Sequence, residues 1–136
     1  MKILIPTDGS IYSSNAARVA ARIALKHDYK LIVLHVVPDK GFSRKTWQKE
    51  GAENVISMIA DILIESGCSM ERIETLIEDG SAPEKIVEIA RDMSVDRIIM
   101  GTQGKNGLKK LVGSVTEKVL QISDVLVLVV PPNYNI

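Results

Sequence analysis

The densest chemical signal in the chain is Gly101-Thr102-Gln103-Gly104-Lys105-Asn106-Gly107-Leu108-Lys109-Lys110-Leu111-Val112-Gly113-Ser114. Its four glycines within thirteen positions admit left-handed backbone and let a ligand come close to the main chain. The segment leads straight into a helical stretch, whose N-terminal N–H groups and positive dipole end form a natural phosphate seat. Lys105, Lys109 and Lys110 add positive charge nearby. The same composition also suits an ordinary connecting loop with Ser114 as the N-cap of its helix. One hydroxyl can cap a helix and face a phosphate, so the two roles are compatible. The segment is not a Walker A loop, because no Gly-Lys-Ser/Thr follows a glycine at the required spacing. Nor is it the dinucleotide fingerprint, which belongs after the first strand, where this chain has Pro6-Thr7-Asp8-Gly9-Ser10. Asp8 ends a buried strand. It either caps the N–H groups of a turn, or accepts hydrogen bonds from a ligand hydroxyl or holds a metal ion.

Other reactive side chains are sparse. His35 sits among apolar neighbours and reads as a hydrogen-bonded core histidine, and His27, near a helix end, as a solvated one. Two histidines and one cysteine leave no set with structural-zinc spacing, and no metal-binding residue is assigned. No Gly-x-Ser-x-Gly elbow occurs. Cys68 is expected to pack rather than react, and Met58, Met70 and Met93 to fill the core or its boundary. No catalytic nucleophile or acid–base pair stands out.

Positioning these residues falls to a regular alternation of elements. Lys2–Ile5 stops at Pro6, Leu31–Val37 at Pro38, Arg97–Met100 at Gly101, and Val125–Val130 at Pro131. The runs are continuously apolar, so both faces of each strand are expected to be buried, as in a parallel sheet covered by helices. Arg72–Ile77 is weaker and reads as a strand nearer an edge. Between the strands run four helical stripes. The first is Ala16, Val19, Ala20, Ile23 and Ala24, with Ser13 or Ser14 as N-cap. The second is Val55, Met58, Ile59, Ile62 and Leu63, closed by Gly67. The third, Ile86, Ile89, Ala90 and Met93, opens on a capping box at Ser81-Ala82-Pro83-Glu84. The fourth, Val115, Val119 and Ile122, opens on another at Ser114-Val115-Thr116-Glu117. Asp39–Glu50 reads as a loop leading into the second helix. The order β-α-β-α-β-α-β-α-β predicts an open α/β sandwich with right-handed crossovers. Ligands of such sheets bind beyond the carboxyl ends of the strands.

The 136 residues, 46% apolar and 25% charged, predict a single domain over 1–136 and exclude wholesale disorder, collagen-like repeats and disulfide-stapled scaffolds. Seventeen basic residues balance seventeen acidic ones, and aromatics make up 4%. Both features argue against a nucleic-acid partner. A single cysteine fits a reducing compartment. The apolar start is too short for a signal peptide, and no run approaches the ~20 residues of a spanning helix. No membrane association and a cytoplasmic location are the expectation.

These blocks together resemble the universal stress protein family, a branch of the adenine-nucleotide-binding α/β folds, over nearly the whole chain. The resemblance rests on Ile3-Leu4-Ile5-Pro6-Thr7-Asp8-Gly9-Ser10, Leu34-His35-Val36-Val37, Gly80-x-Ala82-Pro83-x-x-Ile86 and Asp96-x-Ile98-Ile99-Met100-Gly101-Thr102-x-Gly104. It continues through Gly113-Ser114-Val115-Thr116-Glu117-Lys118-Val119 to Val127-Leu128-Val129-Val130-Pro131. It implies a Rossmann-like, five-stranded parallel sheet of order 3-2-1-4-5, similar to the adenine nucleotide alpha-hydrolases. It also implies a role in stress response and a homodimer paired edge to edge through the last strand, Val125–Val130. In the ATP-binding branch the loop reads Gly, two residues, Gly, nine residues, Gly-Ser/Thr. Carried over, Gly101, Gly104, Gly113 and Ser114 would wrap the triphosphate of ATP, bound with Mg2+, while Val115 and Thr116 lend helix-terminal groups. Asp8 would hold the ribose or adenine side, with Pro6, Thr7 and Met100 alongside and the Val36 backbone reading the adenine edge. Hydrolysis would be slow at most, since no catalytic base accompanies the loop.

This chain departs from that pattern at one point: eight residues, Lys105–Val112, separate Gly104 from Gly113. One missing residue shortens the loop by up to ~3.5 Å of chain. The shortening motivates a second reading, a non-nucleotide interaction module of the same fold. A third, a small enzyme of the wider superfold, lacks the Ser-Gly-Gly-x-Asp-Ser and His-x-Gly-His signatures such enzymes carry.

Overall fold

Strands whose residues are apolar at both parities need cover on two faces, and the chain supplies it with two helices on each side. A computed structural model of the protein describes residues 1–38, 46–102 and 112–134, with residues 46–50 described by their backbone alone. The strands are β1 (Lys2–Pro6), β2 (Lys30–Val37), β3 (Ile73–Asp79), β4 (Arg97–Gly101) and β5 (Leu126–Val130). Helices α1 (Ile11–His27), α2 (Thr46–Glu65), α3 (Ala82–Asp92) and α4 (Ser114–Ile122) alternate with them. All strand pairs are parallel and the sheet order is β3-β2-β1-β4-β5, as expected.

Alternation along the strands splits the core in two. Ile3, Ile5, Leu31, Val33 and Ile99 face α1 and α2, where they meet Ala16, Ala17, Ala20, Ala21, Ile59 and Leu63. Leu4, Ile32, Leu34, Ile98 and Met100 face α3 and α4, where they meet Ile86, Val87, Ala90 and Val119. The alanine stripe of α1 brings that helix close to the sheet. At the far end of α2, Gly67 adopts φ 106°. There the Cys68 N–H reaches the Leu63 carbonyl and the Gly67 N–H the Ile64 carbonyl, the paired bonds of a Schellman stop. Cys68 is buried behind it, and desolvation pushes its thiol pKa up.

Several local expectations need correction. The N-cap of α1 is Ser10, not Ser13 or Ser14; its Oγ accepts the Ser13 N–H at 3.3 Å. The N-cap of α4 is Gly113, which leaves Ser114 as the first helical residue and dissolves the expected capping box. Ser81 does cap α3, but its hydroxyl donates to the Glu84 carboxylate instead of serving a backbone N–H. That bond, joined by a backbone bond at Glu84 and the charge of Lys118, lowers the Glu84 pKa. Residues 46–50 belong to α2 rather than to a preceding loop. Ala52 and Ile56 join Ile59 and Leu63 on its buried face, whereas Met58 is exposed, and Met70 is 73% exposed. On β5, Leu126 and Leu128 are exposed, so this strand is not buried on both faces.

Candidate functional site

The carboxyl ends of β1, β2 and β4 surround a cavity of about 530 Å³ including its open mouth, a size that accommodates a small-molecule ligand. Pro6, Thr7, Asp8, Val36, Met100, Gly101, Val115 and Thr116 line it, so one cavity gathers eight residues singled out in the sequence. Ser13, Leu34, Ala82 and Ile86 complete the lining. From the sequence, Ser13 reads as a helix cap and Ile86 as core. Their place in the site follows only from where α1 and α3 begin relative to the sheet. Gly113 and Ser114 stand at the head of α4, next to the lining residue Val115. Gly104, with Lys105, Lys109 and Lys110, lies outside the described residues.

Each wall has a local cause. β1 ends at Pro6, and the Thr7 N–H makes one more bond to the Leu34 carbonyl, at 2.8 Å. The chain then turns through Gly9, at φ 84°. His35 secures the turn. Its Nδ1 lies 2.8 Å from the Thr7 carbonyl oxygen, which can only accept, so Nδ1 carries the proton. This is the hydrogen-bonded histidine expected, although it is half-buried rather than fully enclosed.

Successive residues of β2 bond to opposite neighbours. Leu34 uses its carbonyl toward β1, and Val37 takes the Gly80 N–H on the β3 side at 3.0 Å. Val36 shares the parity of Leu34, so its N–H and C=O turn to the β1 side, beyond the last rung at Pro6. There they present one donor and one acceptor at strand spacing.

Asp8 takes the turn-capping role and borders the cavity as well. Its Oδ1 accepts the Ser10 N–H and the Ser13 hydroxyl, each at 2.9 Å, and its residue lines the cavity. Opposite, α4 is tied to the end of β4. Thr116 Oγ1 donates to the Gly101 carbonyl at 2.9 Å, and the Gly113 N–H donates to the Thr102 carbonyl at 2.6 Å. The first intrahelical bond of α4 runs from the Glu117 N–H to the Gly113 carbonyl. The N–H groups of Ser114, Val115 and Thr116 thus belong to the open first turn. Thr102 Oγ1, one residue beyond the lining, is buried with no hydrogen-bond partner among the described residues. Among the described residues no cluster of three or more His, Cys, Asp or Glu could hold a metal ion. Nor is any helix among them long and apolar enough to cross a membrane.

Comparison with known proteins bears on the family and the fold. The family model described as "Universal stress protein family" matches residues 1–131. Universal stress protein MJ0531 of Methanocaldococcus jannaschii is 35% identical over 140 residues, covering 95% of this chain and 81% of the relative. The solved structure of MJ0577, a universal stress protein of the same organism, superposes with a TM-score of 0.83 at 34% identity, covering 98% of this chain and 97% of that one. A universal stress protein solved in complex with cAMP superposes with a TM-score of 0.79 at 25% identity, covering 96% of each chain. With a parallel sheet of order 3-2-1-4-5 and a family match along almost its whole length, the chain belongs to the universal stress protein family.

Proposed function

We propose that the protein is a dimeric adenine-nucleotide-binding module of the stress response, taking ATP with Mg2+ and hydrolysing it slowly at most. The observation that carries this reading is the convergence, around one cavity, of the Val36 backbone, the Asp8 carboxylate and the first turn of α4. Leu34, Val36, Ile86 and Met100 offer apolar walls to a flat base. The Val36 N–H and C=O suit the adenine edge, which pairs a ring-nitrogen acceptor with an amino donor. Asp8 suits sugar hydroxyls, and the α4 N-terminus suits phosphates. A relative solved with cAMP supports an adenine nucleotide as the ligand class. Mg2+ is held chiefly by phosphate oxygens, water and one or two carboxylates. Among the described residues Asp8 is the one carboxylate in the lining; with it facing the sugar, the ion would rest on phosphate oxygens and water.

Slow turnover follows from the same lining. Among the described residues of the lining Asp8 is the one titratable side chain, and Ser10 and Ser13 hold it. Fast hydrolysis needs a base within hydrogen-bond reach of the attacking water.

The test is calorimetric titration of Mg-ATP into protein stripped of carried-over nucleotide. Micromolar binding is expected, weakened about tenfold or more in Asp8→Ala, the scale of a lost hydrogen bond to a charged group. Absence of heat together with absence of competition from other adenine nucleotides would refute the reading. It would favour instead the non-nucleotide interaction module suggested by the eight-residue spacing between Gly104 and Gly113.

A further inference from the structure

We propose that Ser13 is a positioning residue for the nucleotide sugar, its hydroxyl setting the orientation of the Asp8 carboxylate that receives the ribose hydroxyls. The proposal rests on the nucleotide reading above. Ser13 Oγ donates to Asp8 Oδ1 at 2.9 Å and accepts the Asp8 N–H at 3.2 Å. The Ser10 N–H reaches the same Oδ1 at 2.9 Å. An aspartate is loosely restrained about its last torsion, and two donors on one oxygen remove that freedom. An ionised carboxylate has about four acceptor sites, so holding Oδ1 in place is compatible with further donors from a sugar.

The position of Ser13 argues for a role beyond capping. The cap of α1 is Ser10, whose hydroxyl takes the Ser13 N–H. Ser13 is only 6% exposed, at the head of a buried helix face otherwise made of Ala16, Ala17, Ala20, Ala21 and Ala24. A buried hydroxyl on an alanine stripe carries a desolvation cost and gains nothing in helix propensity over alanine. It lines the cavity beside the carboxylate it holds.

The experiment compares the affinities of Mg-ATP and Mg-2′,3′-dideoxy-ATP, which differ only in the sugar hydroxyls. Calorimetry is run on wild type, Asp8→Ala, Ser13→Ala, Ser13→Cys and Ser14→Ala. Wild type should prefer ATP by about tenfold or more, and Asp8→Ala should abolish that preference. Ser13→Ala, and Ser13→Cys with its weak thiol donor, should reduce it to about threefold or less through loss of the ATP contact alone. Affinity for the dideoxy nucleotide should stay at the wild-type value. Ser14→Ala removes a neighbouring α1 hydroxyl that bonds the Ser10 carbonyl rather than the carboxylate, and it should keep the full preference. A purely structural role for Ser13 would weaken both nucleotides alike, and that result overturns the proposal. So does either Ser13 variant that retains the wild-type preference while Asp8→Ala loses it, an outcome that leaves the nucleotide reading standing. A wild type that binds neither nucleotide, or both equally, overturns this assignment together with the Asp8–ribose contact.

Discussion

At Gly101 the reason for a glycine is a helix. A Cβ there would lie 2.8 Å from the Cβ and carbonyl oxygen of Tyr12, in the first turns of α1. The described glycines with left-handed φ are Gly9, Gly67 and Gly80, so Gly101 is required for close approach rather than for its own dihedrals. Its carbonyl also anchors Thr116, so one residue joins the starts of α1 and α4 to the end of β4. Gly101→Ala is therefore expected to destabilise the nucleotide-free protein by about 1–3 kcal/mol, the usual range for overpacking a tight site. Urea unfolding measures it, and an unchanged midpoint would show that α1 yields without cost. Binding data from a bulky Gly101 variant report on this packing before they report on any phosphate. From the sequence, the glycines of this segment allow close approach of a ligand to the backbone, or simply an ordinary loop; at Gly101 the close neighbour is Tyr12. The identity of that neighbour was not legible, because Tyr12 reaches it only through the sheet order. Asp8 is the opposite case: its place at the end of a buried strand offers either a turn cap or a ligand contact, and the turn cap is formed on a residue that also borders the cavity.

Among the elements, strands and helix stops were more legible than helix starts. The apolar runs ending at Pro6, Gly101 and Pro131 mark β1, β4 and β5 to within a residue, because few alternatives bury such runs. Helix starts were displaced since several adjacent residues are acceptable caps. Ser10, Ser13 and Ser14 all qualify at α1, and Gly113 and Ser114 both qualify at α4. The neighbouring strand makes the choice. At α4, Thr116 turned inward to Gly101 fixes the helix phase and makes Gly113 the cap. Thr116 is 3% exposed, so Thr116→Val preserves shape while leaving the Gly101 carbonyl without its side-chain donor. The expected cost is about 1–2 kcal/mol of stability in the absence of ligand. Nucleotide affinity should fall as well, because the first turn of α4 loses its anchor to β4. Chemical denaturation and calorimetry on the same preparation check both. A stable variant with intact affinity would mean that the Gly113–Thr102 backbone bond is sufficient to hold the helix in place.

At the scale of the whole molecule, the described residues leave β3 and β5 as the edge strands of the sheet, and their chemistry differs. β3 carries Glu74, Glu78 and Asp79 within seven residues, and pairing it with a second copy of itself would bring like charges together. β5 is Leu-Val-Leu-Val-Val without a charge. Val130 packs into the α1-side core, so Leu126 and Leu128, four and two residues before it, project to the same face. They emerge 75% and 41% exposed. A long uncharged edge is an aggregation hazard unless something covers it. A two-fold axis beside β5 would pair it with its own copy and close the assembly at two chains. The expected assembly is therefore a dimer of the 14.9 kDa chain, and Leu128→Asp should release monomers that keep the fold. Light scattering coupled to size-exclusion chromatography reads the mass, and circular dichroism confirms that the variant stays folded. The cavity is built from β1, β2, β4 and the helices behind them. The monomeric variant should therefore still bind Mg-ATP, which separates the assembly surface from the ligand site. A wild type that runs as a monomer, or a Leu128→Asp variant that remains dimeric, would place the interface elsewhere.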